Sequence, residues 1–596
     1  MTLHQTIASQ ETLTLTGAEI VVRALVDNGV EVLFGYPGGA VLPIYDALFH
    51  EERLKHVLVR HEQGAAHAAE GYARSTGKVG VVLVTSGPGA TNAVTGIVDA
   101  LMDSIPLVVI TGQVPTSLIG SDAFQECDTV GITRSATKHN VLVRRAEDLP
   151  QVMHEAFRIA ASGRPGPVLV DIPKDVQFAK AAYQGPEAMT FTHAYAPRID
   201  ADQAKVAQAV ELIARAERPI LYTGGGVINA GPAAAQALRE FARLTGAPVT
   251  STLMGLGAFP ASDPQWLGMV GMHGAYEANH AMHDCDVMVC VGARFDDRVT
   301  GRLDAFSPGS KKIHIDIDPS SIGKIVRADI GVVGDAGHVL QAMAEAWRAK
   351  PRRPASALKA WWAEIDAWRT RNGFAYAPSK DQIKPQHALQ RLAALTQGRD
   401  LYVTTEVGQH QMWAAQFLPF TEPNRWMTSG GLGTMGYGLP AAIGVQMAHP
   451  GSLVVDVAGE ASIQMCIQEL STAVQYDLPV KVMILNNEWM GMVRQWQQLL
   501  HGERYSHSYS SSLPDFVKLA EAYGAMGIRA EHPDELDAAI QAMIDSPKPV
   551  LFDCRVTKDE NCFPMIPSGK AHNDMLLGDA AGDIGSVIDE AGRKLV

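Results

Sequence analysis

The sequence predicts an α/β protein built from three doubly wound parallel-sheet domains. Short apolar runs alternate along the chain with stretches of helical periodicity, which is typical of parallel strands joined by crossover helices. Several of these runs end in glycine-rich turns, as at residues 86–89, 224–226 and 430–436. Open α/β sheets bind ligands at the carboxyl ends of their strands, so we expect these turns to form the functional sites.

Length and composition limit the class of protein. The 596 residues suffice for three or four domains, and 46% hydrophobic with 19% charged residues is a globular composition. A net charge of −14 argues against nucleic acid and anionic membranes as partners. No apolar run reaches about 18 residues, so we expect no membrane span. Six cysteines without a CxxC pair indicate reduced thiols and a cytoplasmic location.

Residues 14–182 form the first predicted domain. Thr16 begins an amphipathic helix that ends near Asn28, and strands are expected at residues 32–34, 79–85, 107–111 and 168–172. Residues 1–13 lack the features of a secretory signal and are expected to be an N-terminal tail. The proline-containing segment 183–198 is expected to be a linker.

The second predicted domain covers residues 199–350 and the third covers residues 380–565. A linker at 351–379 separates them, and residues 566–596 form a C-terminal tail that either folds over the active site or is mobile. Strands are expected at residues 220–222, 249–251, 287–291 and 312–317, and then at 401–404, 453–457, 480–485 and 550–553. The similar alternation in all three blocks predicts three copies of one architecture.

The most informative stretch is residues 453–496. It predicts a strand, a tight turn, a helix over residues 463–474, a second strand and a second turn. Both turns would lie at one edge of the sheet, which brings the Glu460 carboxylate close to the amide oxygen of Asn487. Such hard oxygen ligands suit Mg²⁺, and the helix start after Ser462 offers N–H groups to a diphosphate. A strand–helix–strand unit that binds nothing would show the same pattern.

This stretch resembles the diphosphate and metal motif of thiamine diphosphate-dependent enzymes, in which a GD[GA] turn is followed by an Asn-Asn turn. The resemblance implies Mg²⁺ ligands at Glu460, Asn487 and Trp489, and further thiamine diphosphate contacts at Gly459, Ala461, Ser462, Met490, Gly491 and Met492. The sequence departs from the family at Glu460, where the family has Asp, and also at Ile463 and Cys466. The extra methylene of Glu460 predicts weaker Mg²⁺ binding, because Mg²⁺ requires near-ideal octahedral geometry.

Glu62 is the expected catalytic carboxylate. It follows Arg60 and His61, and the family has a glutamate in such a turn that hydrogen-bonds N1′ of the cofactor's aminopyrimidine. A solvated helix start is the alternative, whereas a zinc site is disfavoured because His61 and His67 do not have HExxH spacing. The family also implies first-domain cofactor contacts at Pro37, Pro88 and Asn92.

Two stretches of the third domain complete the predicted cofactor site. The resemblance implies thiamine diphosphate contacts in residues 406–410 and 430–436, namely Val407, Gly408, Gln409, His410, Gly433 and Met435. Met435 would wedge between the two cofactor rings, although plain core filling is the alternative. The first domain of one subunit would meet the third domain of another, so the family implies a homodimer or homotetramer.

The second domain is expected to bind FAD. Gly224, Gly225 and Gly226 begin a loop like GxGxxG, with Asn229 in place of the last glycine. Residues 292–302 closely resemble the FAD-binding block of the biosynthetic acetohydroxyacid synthase family, whose catalytic subunits the chain is similar to over nearly its whole length. The implied contacts are Arg164, Gly224, Gly225, Gly226, Asn229, Thr252, Leu253, Met272, His273, Gly274, Arg294, Asp296, Arg298, Asp316, Asp335 and Ala336.

The resemblance implies an acetolactate synthase activity. Pyruvate would be decarboxylated and its two-carbon unit joined to a second pyruvate or to 2-ketobutyrate, the first common step of valine, leucine and isoleucine biosynthesis. The implied catalytic residues are Glu62, Gln125 and Lys174, and the implied substrate contacts are Gly39, Ala40, Phe124, Met492 and Trp496. Trp496 is alternatively a core aromatic. The family also implies a small regulatory subunit.

Two rival functions stay open. Another enzyme with FAD and thiamine diphosphate, such as a pyruvate oxidase, would pass electrons to the flavin. A non-catalytic homologue impaired at the Mg²⁺ site would bind without turnover.

Overall fold

The protein is described by a computed structural model that covers residues 13–189, 195–351 and 354–578. These residues group into two compact units, the first ending at residue 195 and the second running from residue 196 onward. Residues 74–77 and 102–104 group with the second unit. The predicted N-terminal tail before Leu13 and the C-terminal tail after residue 578 lie outside the described residues.

The first unit contains a six-stranded parallel sheet with the order β3-β2-β4-β5-β7-β6 and an antiparallel pair β1-β8. Its strands are β1 (Thr14–Thr16), β2 (Val32–Tyr36), β3 (Lys55–Leu58), β4 (Gly80–Val84), β5 (Leu107–Gln113), β6 (His139–Leu142), β7 (Pro167–Pro173) and β8 (Lys180–Ala182). Its helices are Gly17–Asp27, Leu42–Phe49, Glu62–Thr76, Pro88–Asn92, Val94–Asp103, Thr129–Thr133, Leu149–Ala161 and Lys174–Phe178.

The first helix begins where the sequence predicts. The Thr16 hydroxyl accepts the Glu19 N–H at 3.2 Å, and the Glu19 carboxylate accepts the Thr16 N–H at 2.7 Å. This capping box satisfies donors that the first helical turn leaves without partners. The buried face of the helix, which includes Ile20, Val21 and Leu25, then packs into the apolar core of the first sheet.

The second sheet is parallel and has the order β11-β10-β9-β12-β13-β14. Its strands are β9 (Pro219–Thr223), β10 (Val249–Ser251), β11 (Trp266–Met269), β12 (Val287–Val291), β13 (Lys311–Asp316) and β14 (Ile330–Val333). Its helices are Gln203–Arg215, Gly225–Asn229, Pro232–Thr245, Tyr276–Asp284, Asp297–Thr300 and Ala336–Arg348.

The third sheet is parallel and has the order β16-β15-β17-β18-β20-β19. Its strands are β15 (Leu401–Thr405), β16 (Trp426–Met427), β17 (Leu453–Ala458), β18 (Lys481–Asn486), β19 (Met526–Ala530) and β20 (Val550–Arg555). The remaining helices are Lys359–Arg369, Pro385–Leu395, Gln409–Phe417, Gly438–Ala448, Leu470–Gln475, Gly491–Leu500, Phe516–Tyr523 and Leu536–Asp545.

The strand orders correct the prediction of three copies of one architecture. Numbered within each sheet, the first and third sheets share the order 2-1-3-4-6-5, whereas the second has the order 3-2-1-4-5-6. The second order is the one found in dinucleotide-binding folds. The predicted fold class of three doubly wound parallel-sheet domains is confirmed. Only the expectation that the second sheet copies the other two was wrong, because alternation along the chain indicates parallel strands but carries no information on which strands become neighbours.

Two predicted segments differ in local structure. The expected linker at 351–379 contains the helix Lys359–Arg369, in which the Trp361 indole is buried and donates to the Pro219 carbonyl at 3.1 Å. The expected helix over 463–474 is instead two 3₁₀ turns, Ile463–Met465 and Ile467–Glu469, followed by Leu470–Gln475. Cys466 interrupts it with φ −131° and ψ 27°.

The chain after β20 returns to the second sheet. His273 Nδ1 lies 3.1 Å from the Pro564 carbonyl oxygen, and the Ile566 N–H donates to the Met272 carbonyl at 2.8 Å. His572 is buried against the Phe306 ring, with centroids 4.8 Å apart. Within the described residues, no helix combines the length and the apolar character needed to cross a membrane.

Candidate active site

A pocket lies at the carboxyl edge of the third sheet, between the turns that follow β15 and β17. This is the switch point, where the strand order reverses and where open α/β sheets bind ligands. The pocket is lined by Val407, Gly408, Gln409, His410, Trp413, Met435, Gly459, Glu460, Ala461, Ser462, Leu485, Asn487, Trp489, Met490, Gly491, Met492 and Val493. It gathers most of the third-domain residues predicted to hold thiamine diphosphate and Mg²⁺.

Glu460 is the buried acid of this pocket. Its side chain is 1% exposed, and its Oε1 atom has no hydrogen-bond partner among the described residues. Burial raises the pKa of this carboxyl to about 8, against the opposing effect of nearby backbone N–H groups. Burying a carboxylate without a partner costs free energy. A bound cation would supply the missing partner, so Glu460 has the character of a cation ligand.

Asn487 presents its amide oxygen at the same edge. Its Oδ1 atom accepts the Trp489 N–H at 3.1 Å, and its Nδ2 atom donates to Gln409 Oε1 at 3.3 Å. The carbonyl oxygen of an amide has two acceptor sites. One acceptor site of Asn487 Oδ1 therefore binds the Trp489 N–H and closes the turn, and the other acceptor site can ligate a cation.

Two glycines allow the walls of the pocket to approach each other. A Cβ atom at Gly491 would lie 2.1 Å from Gln409 Oε1, and one at Gly459 would lie 2.8 Å from the His410 ring. A side chain at either position would force the Gln409 amide or the His410 ring to move. Glycine at these positions therefore lets the two walls approach without displacing Gln409 or His410, and neither position has a φ angle that favours glycine.

The loop that carries Met435 is held by a buried carboxylate that the prediction does not assign to the site. Glu406 accepts the N–H groups of Gly436, Gly438 and Leu439 at 2.5, 3.0 and 3.3 Å. Burial raises the pKa of Glu406 to about 7. Asp456 is equally buried, and burial followed by the Glu406 charge raises its pKa well above the ordinary value.

Some predicted and lining residues do not coincide. Gly433 and Trp496 are absent from the lining, although Gly433 adopts φ +74° and Trp496 is half-buried on the helix Gly491–Leu500. Trp413, Leu485 and Val493 line the pocket without having been predicted. Trp413 and Leu485 are buried apolar residues whose ordinary interpretation is core, so the sequence carries no signal that singles them out. Val493 is 45% exposed and stands next to Met492, which was predicted to line the site.

The carboxyl edge of the first sheet collects the predicted first-domain residues. Pro37, Gly39 and Ala40 follow β2, Glu62 follows β3, Pro88 and Asn92 follow β4, Gln125 follows β5, and Lys174 follows β7. Asn92 Nδ2 donates to Glu62 Oε2 at 3.0 Å. A Cβ atom at Gly87 would lie 2.8 Å from the Gln125 carbonyl oxygen, so the turns after β4 and β5 are in contact.

This first edge is open in the single chain. Glu62, Asn92, Gln125 and Lys174 are half-buried, Pro37, Gly39 and Pro88 are exposed, and the Phe124 side chain is 88% exposed.

The residues predicted to bind FAD lie mostly along the carboxyl edge of the second sheet. Gly224, Gly225, Gly226 and Asn229 follow β9, Thr252 and Leu253 follow β10, Met272, His273 and Gly274 follow β11, Arg294, Asp296 and Arg298 follow β12, Asp316 ends β13, and Asp335 and Ala336 follow β14. Arg164 lies in the first unit, in the turn before β7.

Contacts at this second edge are tight. A Cβ atom at Gly226 would lie 2.6 Å from the Gly292 Cα atom, so the turns after β9 and β12 touch at the switch point. The buried hydroxyls of Thr223 and Thr300 have no hydrogen-bond partner among the described residues. Asp335 accepts the Gly337 and His338 N–H groups and caps the helix Ala336–Arg348.

Comparison with known proteins agrees with this arrangement. Residues 15–132, 206–343 and 406–554 match the N-terminal TPP-binding, central and C-terminal TPP-binding domains of thiamine pyrophosphate enzymes, TPP being thiamine diphosphate. The three matches fall on the three sheets. The chain therefore has the domain set of a thiamine pyrophosphate enzyme.

Individual relatives identify the family within the thiamine pyrophosphate enzymes. The chain is 53% identical over 569 residues to the acetolactate synthase isozyme 3 large subunit of Escherichia coli, covering 94% of this chain and 98% of that protein. It is 50% identical over 566 residues to the acetolactate synthase large subunit of Haemophilus influenzae, covering 94% and 98%. It is 49% identical over 567 residues to that of Mycobacterium tuberculosis, covering 94% and 91%. The chain belongs to the acetolactate synthase large-subunit family.

Proposed function

We propose that this chain is a catalytic large subunit that decarboxylates pyruvate and joins the two-carbon unit to a second 2-ketoacid. A second pyruvate gives 2-acetolactate, and 2-ketobutyrate gives 2-aceto-2-hydroxybutyrate, which begins the synthesis of the branched-chain amino acids. The observation that carries the proposal is the pocket between β15 and β17, where the buried Glu460 carboxyl and the Asn487 amide lie beside the turn 459–462.

The pocket fits a divalent cation and a diphosphate. Glu460 offers a buried oxygen without a partner among the described residues, Asn487 offers an amide oxygen, and the Trp489 carbonyl is the proposed third ligand, a set that suits Mg²⁺. Backbone N–H groups of the turn 459–462 would bind phosphate oxygens. Glu460 can reach the cation with its longer side chain, so the departure from Asp favours weaker binding over loss of the site.

Residues around the pocket would orient the organic part of the cofactor. Thiamine diphosphate, when bound, supplies the electron sink that decarboxylation of a 2-ketoacid requires. Met435 would support the ring system from a loop that Glu406 holds in place. Glu62 would hold a proton at its carboxyl oxygen Oε1, while Oε2 accepts the Asn92 amide. Gln125, Lys174 and Phe124 would contact the substrate at the same edge.

The second sheet is the proposed FAD site. Its order 3-2-1-4-5-6 is that of dinucleotide-binding folds, and the unpartnered Thr223 hydroxyl at the switch point suits a ligand with many polar atoms. FAD would have no net redox role in the proposed reaction and would stabilise the second domain.

The proposed assembly is at least a homodimer with a small regulatory subunit, in the cytoplasm. The open first edge, at which Glu62, Gln125 and Lys174 are only half-buried, supports a second copy as a partner. The relatives that are named as large subunits support a smaller companion chain. The six free cysteines fit a reducing compartment.

Acetolactate formation from pyruvate tests the proposal. The full chain is assayed with thiamine diphosphate, Mg²⁺ and FAD, and each is then left out in turn after dialysis against a chelator. We expect product only when thiamine diphosphate and Mg²⁺ are both present. Bleaching of the flavin absorbance during turnover would instead favour an oxidase, and an absence of product at saturating cofactors would favour a non-catalytic homologue.

A further inference from the structure

We propose that Gln495, which does not line the pocket, is a positioning residue that orients the Asn487 amide toward the cation by acting through Gln409. The inference rests on the proposed function of the pocket as a cation and diphosphate site. The side-chain amides of Gln495, Gln409 and Asn487 form a series of hydrogen bonds that starts at the backbone of residues 560–562.

The first amide of the series, that of Gln495, is held by the backbone of Cys562. The Cys562 N–H donates to Gln495 Oε1 at 2.7 Å, and Gln495 Nε2 donates to the Cys562 carbonyl at 3.1 Å. A peptide N–H cannot accept and a peptide carbonyl cannot donate. This pair of contacts therefore fixes which end of the Gln495 amide is oxygen. Gln495 is fully buried, so water does not compete for these groups.

The orientation passes from Gln495 to Gln409. Gln409 Nε2 donates to Gln495 Oε1 at 2.8 Å and to the Glu560 carbonyl at 3.0 Å. Both N–H bonds of this amide group are thereby used within the protein, and Gln409 Oε1 must face the other way. That oxygen accepts from Asn487 Nδ2 at 3.3 Å.

Asn487 is left with one orientation. Its nitrogen is directed at Gln409, and its oxygen accepts the Trp489 N–H at 3.1 Å while keeping a second acceptor site. If the Asn487 amide were turned over, two N–H groups would face the cation. Gln495 thus supports the ligating orientation from outside the pocket lining, together with the Glu560 carbonyl that accepts from the same Gln409 nitrogen and the Trp489 N–H that donates to Asn487. Outer partners that orient metal ligands typically contribute 10–100-fold to metal affinity.

The helix Gly491–Leu500 offers a matched control. Gln498 Oε1 accepts from Arg494 Nη1 at 3.0 Å and from Asn561 Nδ2 at 2.9 Å. Gln498 therefore joins the same helix to the same segment as Gln495, and none of its hydrogen bonds within the described residues reaches Gln409 or Asn487. A loss that comes merely from loosening the segment would affect both variants.

The experiment counts bound Mn²⁺, in place of Mg²⁺, by the electron paramagnetic resonance of the free ion in the presence of saturating thiamine diphosphate and the full chain. We expect Gln495→Met to weaken Mn²⁺ binding by about 10–100-fold and Gln498→Met to change it less than about twofold. Gln495→Glu should restore binding to near the parental value. A protonated, buried glutamic acid keeps an acceptor oxygen for the Cys562 N–H and one O–H donor for the Cys562 carbonyl.

A double variant tests the route. If Gln495 acts through Gln409, the pair Gln409→Met and Gln495→Met should bind Mn²⁺ no more weakly than Gln409→Met alone, because residues acting in one chain are not additive. Equal binding by Gln495→Met and the parent, or equal losses at Gln495 and Gln498, would overturn the inference and leave the proposed function intact. A parental chain that binds no Mn²⁺ with thiamine diphosphate would overturn both.

Discussion

The carboxyl edges of the first and third sheets share one strand order but differ in how complete they are. The third edge forms a lined pocket in which Glu460 and Asn487 are buried, whereas the first edge leaves Glu62 half-buried and Phe124 88% exposed. The order 2-1-3-4-6-5 thus gives each sheet the same switch point, which is where open α/β sheets bind ligands, without deciding the chemistry there. The side chains on the turns decide whether one copy of the chain closes the site.

The largest expected effect comes from the first edge. Glu62→Gln removes the ionisable group but keeps the size of the side chain and an acceptor for Asn92. Since positioned proton transfer contributes about 10²–10⁴-fold, we expect acetolactate formation from pyruvate to fall by that factor. Thiamine diphosphate affinity, measured by calorimetry, should change much less.

Asn92→Asp is the companion change, because it alters the partner of Glu62 and leaves the acid in place. We expect a smaller loss than for Glu62→Gln. A Glu62→Gln enzyme that formed product at the parental rate would show that the first edge is not catalytic.

A substitution at the third edge is expected to affect cation binding most directly. Glu460→Gln replaces the buried oxygen with an amide that can point its N–H groups at the cation, so we expect Mg²⁺ affinity to fall by at least about tenfold. Calorimetric titration with Mg²⁺ in the presence of thiamine diphosphate measures this.

Glu460→Asp provides the opposite test at the same position. The shorter side chain should bind Mg²⁺ more tightly, since it removes the methylene that shifts the carboxylate. Unchanged Mg²⁺ affinity in Glu460→Asp would mean that the pocket already accommodates the longer side chain.

A smaller effect, on the pH dependence of stability, is expected from Glu406 and Asp456, which are both fully buried in the third domain. The pKa of Glu406 is raised to about 7 and that of Asp456 is also raised, so the folded chain keeps protons that the unfolded chain releases above about pH 4.5. Stability from these groups is present below that pH and is lost as the pH rises toward 7.

Asp456→Asn should reduce this loss, because it removes one acid and the like charge beside Glu406. We expect the cofactor-free variant to melt about 1–3 °C above the parent at pH 8 and together with it at pH 5. Melting curves at the two pH values provide the measurement. A variant with lower Tm than the parent at pH 8 would mean that the Asp456 charge is stabilising.

The smallest effect is expected at the second edge, which has a different strand order. Asp335→Ala removes the cap of the helix Ala336–Arg348 and should destabilise the chain by about 1 kcal/mol. Asp335→Asn keeps the cap and should keep both Tm and bound flavin. Loss of flavin absorbance in Asp335→Asn, without a change in Tm, would assign the carboxylate to ligand binding in place of capping.

The sequence predicts most strands because their apolar runs are distinctive. The runs at 79–85 and 480–485 become β4 (Gly80–Val84) and β18 (Lys481–Asn486). It also predicts the third pocket, because Glu460 and Asn487 stand at strand ends that a parallel sheet must bring to one edge.

Other features depend on distant contacts that no local pattern contains. Gln495 is a polar residue on an amphipathic helix, and only its contact with Cys562 shows that it is buried and bonded. The helix expected at 463–474 follows from apolar spacing alone, but Cys466 leaves helical geometry. Strand order is equally invisible to periodicity, which is why the middle sheet was expected to match the other two.

The returning C-terminal segment has a consequence for biosynthesis on the ribosome. Pro564 meets His273 across 291 positions of the chain, so the middle sheet leaves the exit tunnel long before the residues that cover it are made. Domains generally fold in the order of their synthesis, and the nascent middle domain must wait with Met272 and His273 unprotected. Stalled or truncated translation products that end before Pro564 should accordingly be prime clients for chaperones and proteases.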